Sequence, residues 1–170
     1  MNPSTTTPDA ITQSPALGLR GRFIPSDDPD ILIGETWVSP GGGAGPLHRH
    51  LHQSERFEVH DGAITVRLGR TAHVVEAGET FTVPARAAHT FVNHTTAEAH
   101  IRTYFTPPMQ LEALFTALAQ IDGPPSLAQA AWLMADYPEE FFYLAWIPVR
   151  VQRGLGRIAR LFLRRSGRQR

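Results

Sequence analysis

Residues 42–62 read Gly42-Gly43-Ala44-Gly45-Pro46-Leu47-His48-Arg49-His50-Leu51-His52-Gln53-Ser54-Glu55-Arg56-Phe57-Glu58-Val59-His60-Asp61-Gly62. The second half alternates, with Phe57 and Val59 set against Arg56 and Glu58, which is the period of a strand with one face inward. Asp61-Gly62 then forms a turn, because Asp-Gly favours the positive φ of tight hairpins. In the first half, His48 and His50 stand two apart and share one strand face. Glu55 lies an odd five residues further on, so strict alternation sends it to the other face. It rejoins the histidines only if Leu51-His52-Gln53-Ser54 forms a bend. It would then point inward with Phe57 and Val59, where a lone carboxylate is very costly unless paired or metal-bound.

Outward from this block the strand pattern continues. Ile31, Ile33, Glu35 and Trp37 alternate with Leu32, Gly34, Thr36 and Val38, before Ser39-Pro40 and the glycines break the chain. Ile64, Val66 and Leu68 alternate with Thr65 and Arg67, and Glu76-Ala77-Gly78-Glu79 makes a further turn. Phe81 and Val83 lead to Pro84, and strands also fit Thr90–Asn93 and His100–Phe105. Short, evenly spaced strands of this kind predict a small sandwich or barrel. After Thr106-Pro107-Pro108 the period becomes helical, with Leu111, Leu114, Phe115 and Leu118 on one face. Thr106 is the expected cap and Pro107 the expected first helical residue. Gly123-Pro124-Pro125 ends that helix. Ser126 with Gln129 forms a capping-box pair for a second helix reaching about Tyr137. A third segment, 139–144, leads to Pro148 and a basic tail. The expected organisation is an N-terminal flexible arm over 1–20, a β-barrel over 21–106 and a helical extension over 107–170.

His89 follows Pro84-Ala85-Arg86-Ala87-Ala88 at the start of another strand. Three imidazoles and a carboxylate converging inside a barrel would suit a divalent transition metal. A lone His-x-His is a weak signal, since most such pairs are surface or hydrogen-bonded histidines. The spacing of the whole is far more specific. Gly42, His48, His50, Glu55 and Gly62, followed by Gly78, Pro84, His89 and Asn93, resemble the two sequence motifs of the cupin superfamily. One position departs: Arg86 stands where the second motif has Gly, a residue that permits positive φ. The resemblance covers roughly residues 20–106 and implies a mainly β fold, a jelly-roll barrel of six to eight strands followed here by α-helices. By matching position it implies His48, His50, Glu55 and His89 as ligands of Fe, Mn, Ni, Co, Cu or Zn.

Four protein ligands leave two positions open around an octahedral metal. The leading functional expectation is a metal-dependent, dioxygenase-like oxidoreductase acting on a small organic substrate, with Glu55 able to double as a catalytic base. A non-redox isomerase or lyase and a non-catalytic binding or sensing protein are the alternatives, because cupins include all three. Trp37, His52, Phe57, Phe91, Arg102 and Tyr104 are the candidate pocket residues. His100, Arg102 and Tyr104 share one face of the last strand, Ile101, Thr103 and Phe105 the other, and the pattern leaves open which face is interior.

The 170 residues carry 16 basic and 16 acidic groups, a formal net charge of zero. Every basic residue is Arg. Residues 1–140 hold 8 Arg and all 16 acids, net −8, whereas residues 141–170 hold 8 Arg and no acid, net +8. The 8 histidines all fall between His48 and His100. A hydrophobic content of 42% is ample for a core. The absence of Cys excludes disulfides, thiolate metal sites and thiol nucleophiles. A cytoplasmic location and a homodimer are expected. In the tail, Ile147, Val151, Leu155, Ile158 and Phe162 lie nearly opposite Arg150, Arg153, Arg157, Arg160 and Arg164 on a helical wheel. The apolar face of this basic amphipathic helix is expected to pack on the barrel or a second subunit. Contact with a membrane surface is the second reading, and nucleic acid is not an expected partner because the body is acidic.

Overall fold

The structure is a computed structural model that describes residues 12–121, 126–138 and 143–166. Strands β1 (Thr12–Ser14), β2 (Leu19–Ile24), β3 (Leu32–Val38), β4 (His48–Arg49), β5 (Ser54–Asp61), β6 (Ala63–Leu68), β7 (Thr71–Glu76), β8 (Thr80–Val83), β9 (His89–Val92) and β10 (Ala99–Thr106) come first. Helices α1 (Leu111–Ala119) and α2 (Leu127–Asp136), the short strand β11 (Tyr143–Leu144) and helix α3 (Val149–Ser166) follow. The strands form two antiparallel sheets, ordered β1-β2-β3-β10-β5-β8 and β11-β4-β9-β6-β7. The β-first, α-second organisation is thus observed. The six-stranded sheet starts at Thr12, inside the stretch expected as an arm.

Alternation dictates which side of each strand is buried. Phe57 and Val59 of β5, Ile64 and Val66 of β6, Phe91 of β9 and Ile101 of β10 lie in one core with Val38, Val75 and Val83. Each such side chain contributes about 1.5–3 kcal/mol by leaving water. Between β5 and β6, Gly62 takes φ +72, the positive value expected of Asp-Gly. A second apolar cluster joins Phe105 to Leu111, Leu114 and Leu133, so α1 and α2 pack against Phe23 and Leu32 of the six-stranded sheet.

Burial in β10 resolves the ambiguity of the last strand: Ile101, Thr103 and Phe105 are buried, and His100, Arg102 and Tyr104 lie on the outer face. Register places Glu35 opposite Arg102 and Trp37 opposite His100 on that same face. Glu35 is only 4% exposed. Its carboxylate accepts from Arg22 at 2.9 Å, meets His100 Nε2 at 3.2 Å and accepts from Arg102 at 3.4 Å. Trp37 stacks on His100 with ring centroids 4.9 Å apart, and the Arg20 guanidinium lies 4.5 Å above the indole.

The extension departs from expectation in three places. Helix α1 begins at Leu111 with Gln110 at its cap, not at Thr106–Pro107, because Pro107 and Pro108 offer their carbonyls to Gln53 Nε2 outside any helix. Part of the third segment is a strand: Tyr143 and Leu144 pair with Arg49 and His48, while 139–142, like the Gly123-Pro124-Pro125 stop, fall outside the described residues. The capping box of Ser126 and Gln129 is present as expected. Among the described side chains of α3, the apolar Val151, Leu155 and Ile158 are exposed rather than packed on the barrel, and the buried positions are Gln152 and Gly156. Gly156 lies against Met134 of α2 so closely that a Cβ would sit 3.0 Å from Met134 Cγ. Gln152, 2% exposed, accepts from the Leu144 N–H and donates to the Leu144 and Ile147 carbonyls. It ties α3 to the strand beside His48.

Two outcomes follow. Gln152→Ala removes three hydrogen bonds to part-buried backbone groups and lowers stability by about 1–3 kcal/mol, measured by urea unfolding of the full chain. Glu35 is held below the ordinary carboxylate value of 4.5, because Arg22, His100 and Arg102 outweigh the upward push of burial. A carboxylate with a lowered folded pKa stabilises the fold above its unfolded value and loses that contribution as pH falls through the folded one. Glu35→Gln is therefore less stable than wild type near neutrality, and the gap closes as the pH drops below 4.5.

Candidate metal centre

Neighbouring strands bring the histidines together. His48 of β4 and His89 of β9 are direct cross-strand partners, on the face turned toward the other sheet. His50 follows β4, the chain bends at Leu51–His52, and β5 begins at Ser54, which returns Glu55 to the interior from the opposite sheet. The bend that strict alternation required is present. His48, His50, Glu55 and His89 are all buried, and one ligand atom from each lies within 4.8 Å of the others.

Backbone carbonyls orient two of the rings. His48 Nδ1 lies 2.9 Å from the Pro46 carbonyl and His89 Nδ1 lies 3.1 Å from that of Ala87, in each case two residues upstream. A carbonyl only accepts, so Nδ1 carries the proton in both, and Nε2 is the atom left to serve as a ligand. Glu55 Oε1 meets His50 Nε2 at 2.5 Å and His89 Nε2 at 3.2 Å. Three imidazole nitrogens and one carboxylate, all buried and converging, are a donor set that fits a divalent transition metal. The cluster could hold such an ion.

The charges within the cluster are unequal, and geometry explains why. Burial pushes the His48 imidazole down to about 4, and the neighbouring His50 and His89 push the same way. Burial also pushes His89 down, but its contact with Glu55 prevails and raises it. Burial would raise the Glu55 carboxyl, yet His50 and His89 hold it well below the usual carboxylate range. Glu55 is thus an anion, and His48 a neutral imidazole, at neutral pH.

The turn before His89 carries the one departure from the motif. Arg86 adopts φ +68, the left-handed value that Gly would take without strain. Its N–H donates to the His50 carbonyl at 2.7 Å and its Nε donates to the Leu51 carbonyl at 3.3 Å. Arg86 therefore fastens the His89 turn to the bend that follows His50.

The candidate pocket residues divide. Phe57 and Phe91 follow Glu55 and His89 by two residues on the inner face, their rings in edge contact at 5.4 Å. Trp37, Arg102 and Tyr104 are on the outer face of the six-stranded sheet, away from the cluster. There the Tyr104 hydroxyl donates to Glu58 and the Arg56 guanidinium lies 3.7 Å above its ring. His52 is exposed in the bend. His60, His73, His94 and His100 take no part in the cluster. The motif's Asn93 is fully buried and has a structural task, donating to the Val38 and Ala97 carbonyls and accepting from Thr95. Sequence reasoning missed the Pro46 and Ala87 carbonyls, whose only signal is the spacing i−2, and Glu35, whose partners come from two other strands, β2 and β10.

The raised His89 value has a measurable consequence. Without metal, the imidazole keeps its second proton to a pH above its ordinary 6.5, and a ligand must give that proton up. Apparent metal affinity, measured by competition with a chelator, rises with pH through that range and levels off once His89 is neutral. Affinity that does not change with pH contradicts this.

Residues 35–105 match the family model described as "Cupin domain". No curated protein matches the chain. The fold is similar to KdgF from Halomonas sp. (20% identity, 59% of this chain and 91% of that one, TM-score 0.51). It is also similar to an RmlC-like cupin from Shewanella frigidimarina (21%, 63% and 89%, 0.50). A predicted oxalate decarboxylase from Thermotoga maritima is a third likeness (15%, 63% and 99%, 0.52). At such identities these structures speak for the fold. The motif match, the two sheets and these likenesses agree on a cupin-type domain over residues 35–105, followed by a helical C-terminal extension.

Proposed function

We propose that the His48–His50–Glu55–His89 cluster holds a divalent transition metal and that the protein is a metal-dependent oxidoreductase, dioxygenase-like, acting on a small chelating substrate with an apolar body. The observation that carries this reading is the character of the interior beside the cluster. It is built of Phe57, Val59, Ile64, Val66, Val83, Phe91 and Ile101. Outside the four ligands, Glu35 on the outer face and Gln152 in the extension, the buried polar side chains among the described residues are Gln53, Asn93 and Thr103. None of these ionises near neutral pH. Isomerase or lyase chemistry calls for positioned acids and bases to move protons, and among the described residues the interior offers Glu55 alone beyond the imidazoles.

Bound there, the metal would supply Lewis-acid and redox chemistry to a chelating substrate. The protein's own contribution is positional. The Pro46 and Ala87 carbonyls hold two imidazoles in a fixed tautomer, and Glu55 brings the single negative charge. The apolar lining excludes water and favours an aromatic or aliphatic substrate body, such as a phenolic compound or a diketone. Among the described residues, Glu55 is the carboxylate placed to accept a substrate proton.

The test combines metal content with oxygen uptake. Protein purified without chelator carries metal, and His48→Ala and Glu55→Ala each lose most of it. With a productive phenolic or diketone, oxygen is consumed in step with substrate, and both variants fall by about 100-fold or more. Full metal occupancy in both variants would sink the site assignment. Turnover at an undiminished rate under argon would assign the site to non-redox chemistry instead.

A further inference from the structure

Helix α3 is divided along its length into three stripes. Gln152 and Gly156, four apart, are the buried seam against β11 and α2. On one side of that seam stand Val151, Leu155 and Ile158, with relative exposures of 51%, 57% and 53%. On the other side, Arg150 and Arg157 are exposed. Just before the helix, Trp146 is 62% exposed. The helix sequence continues with Arg160, Arg164 and Arg165, and residues 141–170 contain no acid at all. An apolar ridge that the body leaves uncovered, beside an exclusively cationic stripe and a solvent-facing indole, is a costly surface for water alone.

We propose that α3 docks the protein on an anionic lipid surface, with Val151, Leu155, Ile158 and Trp146 entering the headgroup boundary and the arginines engaging lipid phosphates. Three features favour this occupant. The helix is strongly amphipathic with low overall hydrophobicity and an Arg-rich polar face, which is the composition of helices lying in the membrane interface. Trp is the residue suited to that boundary, with an apolar body and a polar N–H. The ridge is also too narrow for a stable association of two copies. Among the described residues it offers three aliphatic side chains and one indole, well short of the roughly 800 Å² per partner of a standard protein interface. The seam leaves the ridge accessible while Gln152 keeps the helix attached to the body, so docking requires no unfolding. No helix among the described residues is long and apolar enough to cross a membrane, so the contact is one of lying on the surface.

The test is co-sedimentation of the full-length protein with vesicles. It should pellet with phosphatidylcholine vesicles containing phosphatidylglycerol, much less with pure phosphatidylcholine, and progressively less as salt is raised. The double variant Leu155→Glu with Ile158→Glu changes only exposed positions and should bind about tenfold or more weakly, while its circular dichroism and metal content stay as in wild type. Arg150→Glu with Arg157→Glu should weaken binding to the anionic vesicles in particular. The proposal is overturned if the wild type does not pellet with anionic vesicles at low salt, or if the ridge variant binds as well as wild type. It is also overturned if light scattering finds a dimer without lipid that the ridge variant converts to monomer, since the ridge would then belong to a second copy.

Discussion

One carboxylate shapes the centre of this molecule. Glu55 is buried in an apolar barrel, where an unpaired charge would be intolerable, and it is compensated by imidazoles reaching it from the opposite sheet. That requirement sets much of the local geometry. The bend after His50 must return the chain to the interior, β4 must lie beside β9 so that His48 faces His89, and the turn at Arg86 must hold its position. Arg86 accepts a left-handed backbone there, and its two donations to the His50 and Leu51 carbonyls offset the strain. Charge compensation and chain path are the same problem at this site.

A second buried carboxylate, Glu35, shows how different the two faces of one sheet can be. Glu35 is also nearly inaccessible and also compensated, but by Arg22, Arg102 and His100 on the outer face. That set contains guanidinium groups that cannot give up their charge, so it forms ion pairs, and a guanidinium offers a metal no lone pair. The Glu55 set consists of imidazoles, which can be neutral donors, and is suited to ligation. The chemistry on each side of the barrel wall follows from this choice of partner.

The cupin motifs, the alternation of β5, β6 and β10, the Asp61-Gly62 turn and the Ser126 capping box were all legible in the chain, because each is a local pattern with a local physical cause. The four candidate ligands were legible too, since their spacing reports a bend and two strands. The orientation of β10 was not. Its two faces are an apolar-aromatic set and a polar-aromatic set, and only pairing with β3 and β5 places Ile101 inward and Trp37, Arg102 and Tyr104 outward. Which side of α3 meets the body was not legible for a related reason. A helical wheel marks its most apolar stripe, but the buried one is where Gly156 permits a close approach and Gln152 meets backbone groups of a short strand.

The chain alone therefore determined the fold class, the positions of the four converging side chains and the sharp division of charge between body and tail, because periodicity, turn chemistry and residue type act over short distances. Tertiary structure decided what depends on who lies across the sheet or along the helix. It supplied the carbonyls that set the His48 and His89 tautomers, the arginines that neutralise Glu35, and the seam that leaves Val151, Leu155 and Ile158 facing solvent. Burial belongs to a pair of surfaces, and a single strand or helix does not carry its partner in its own sequence.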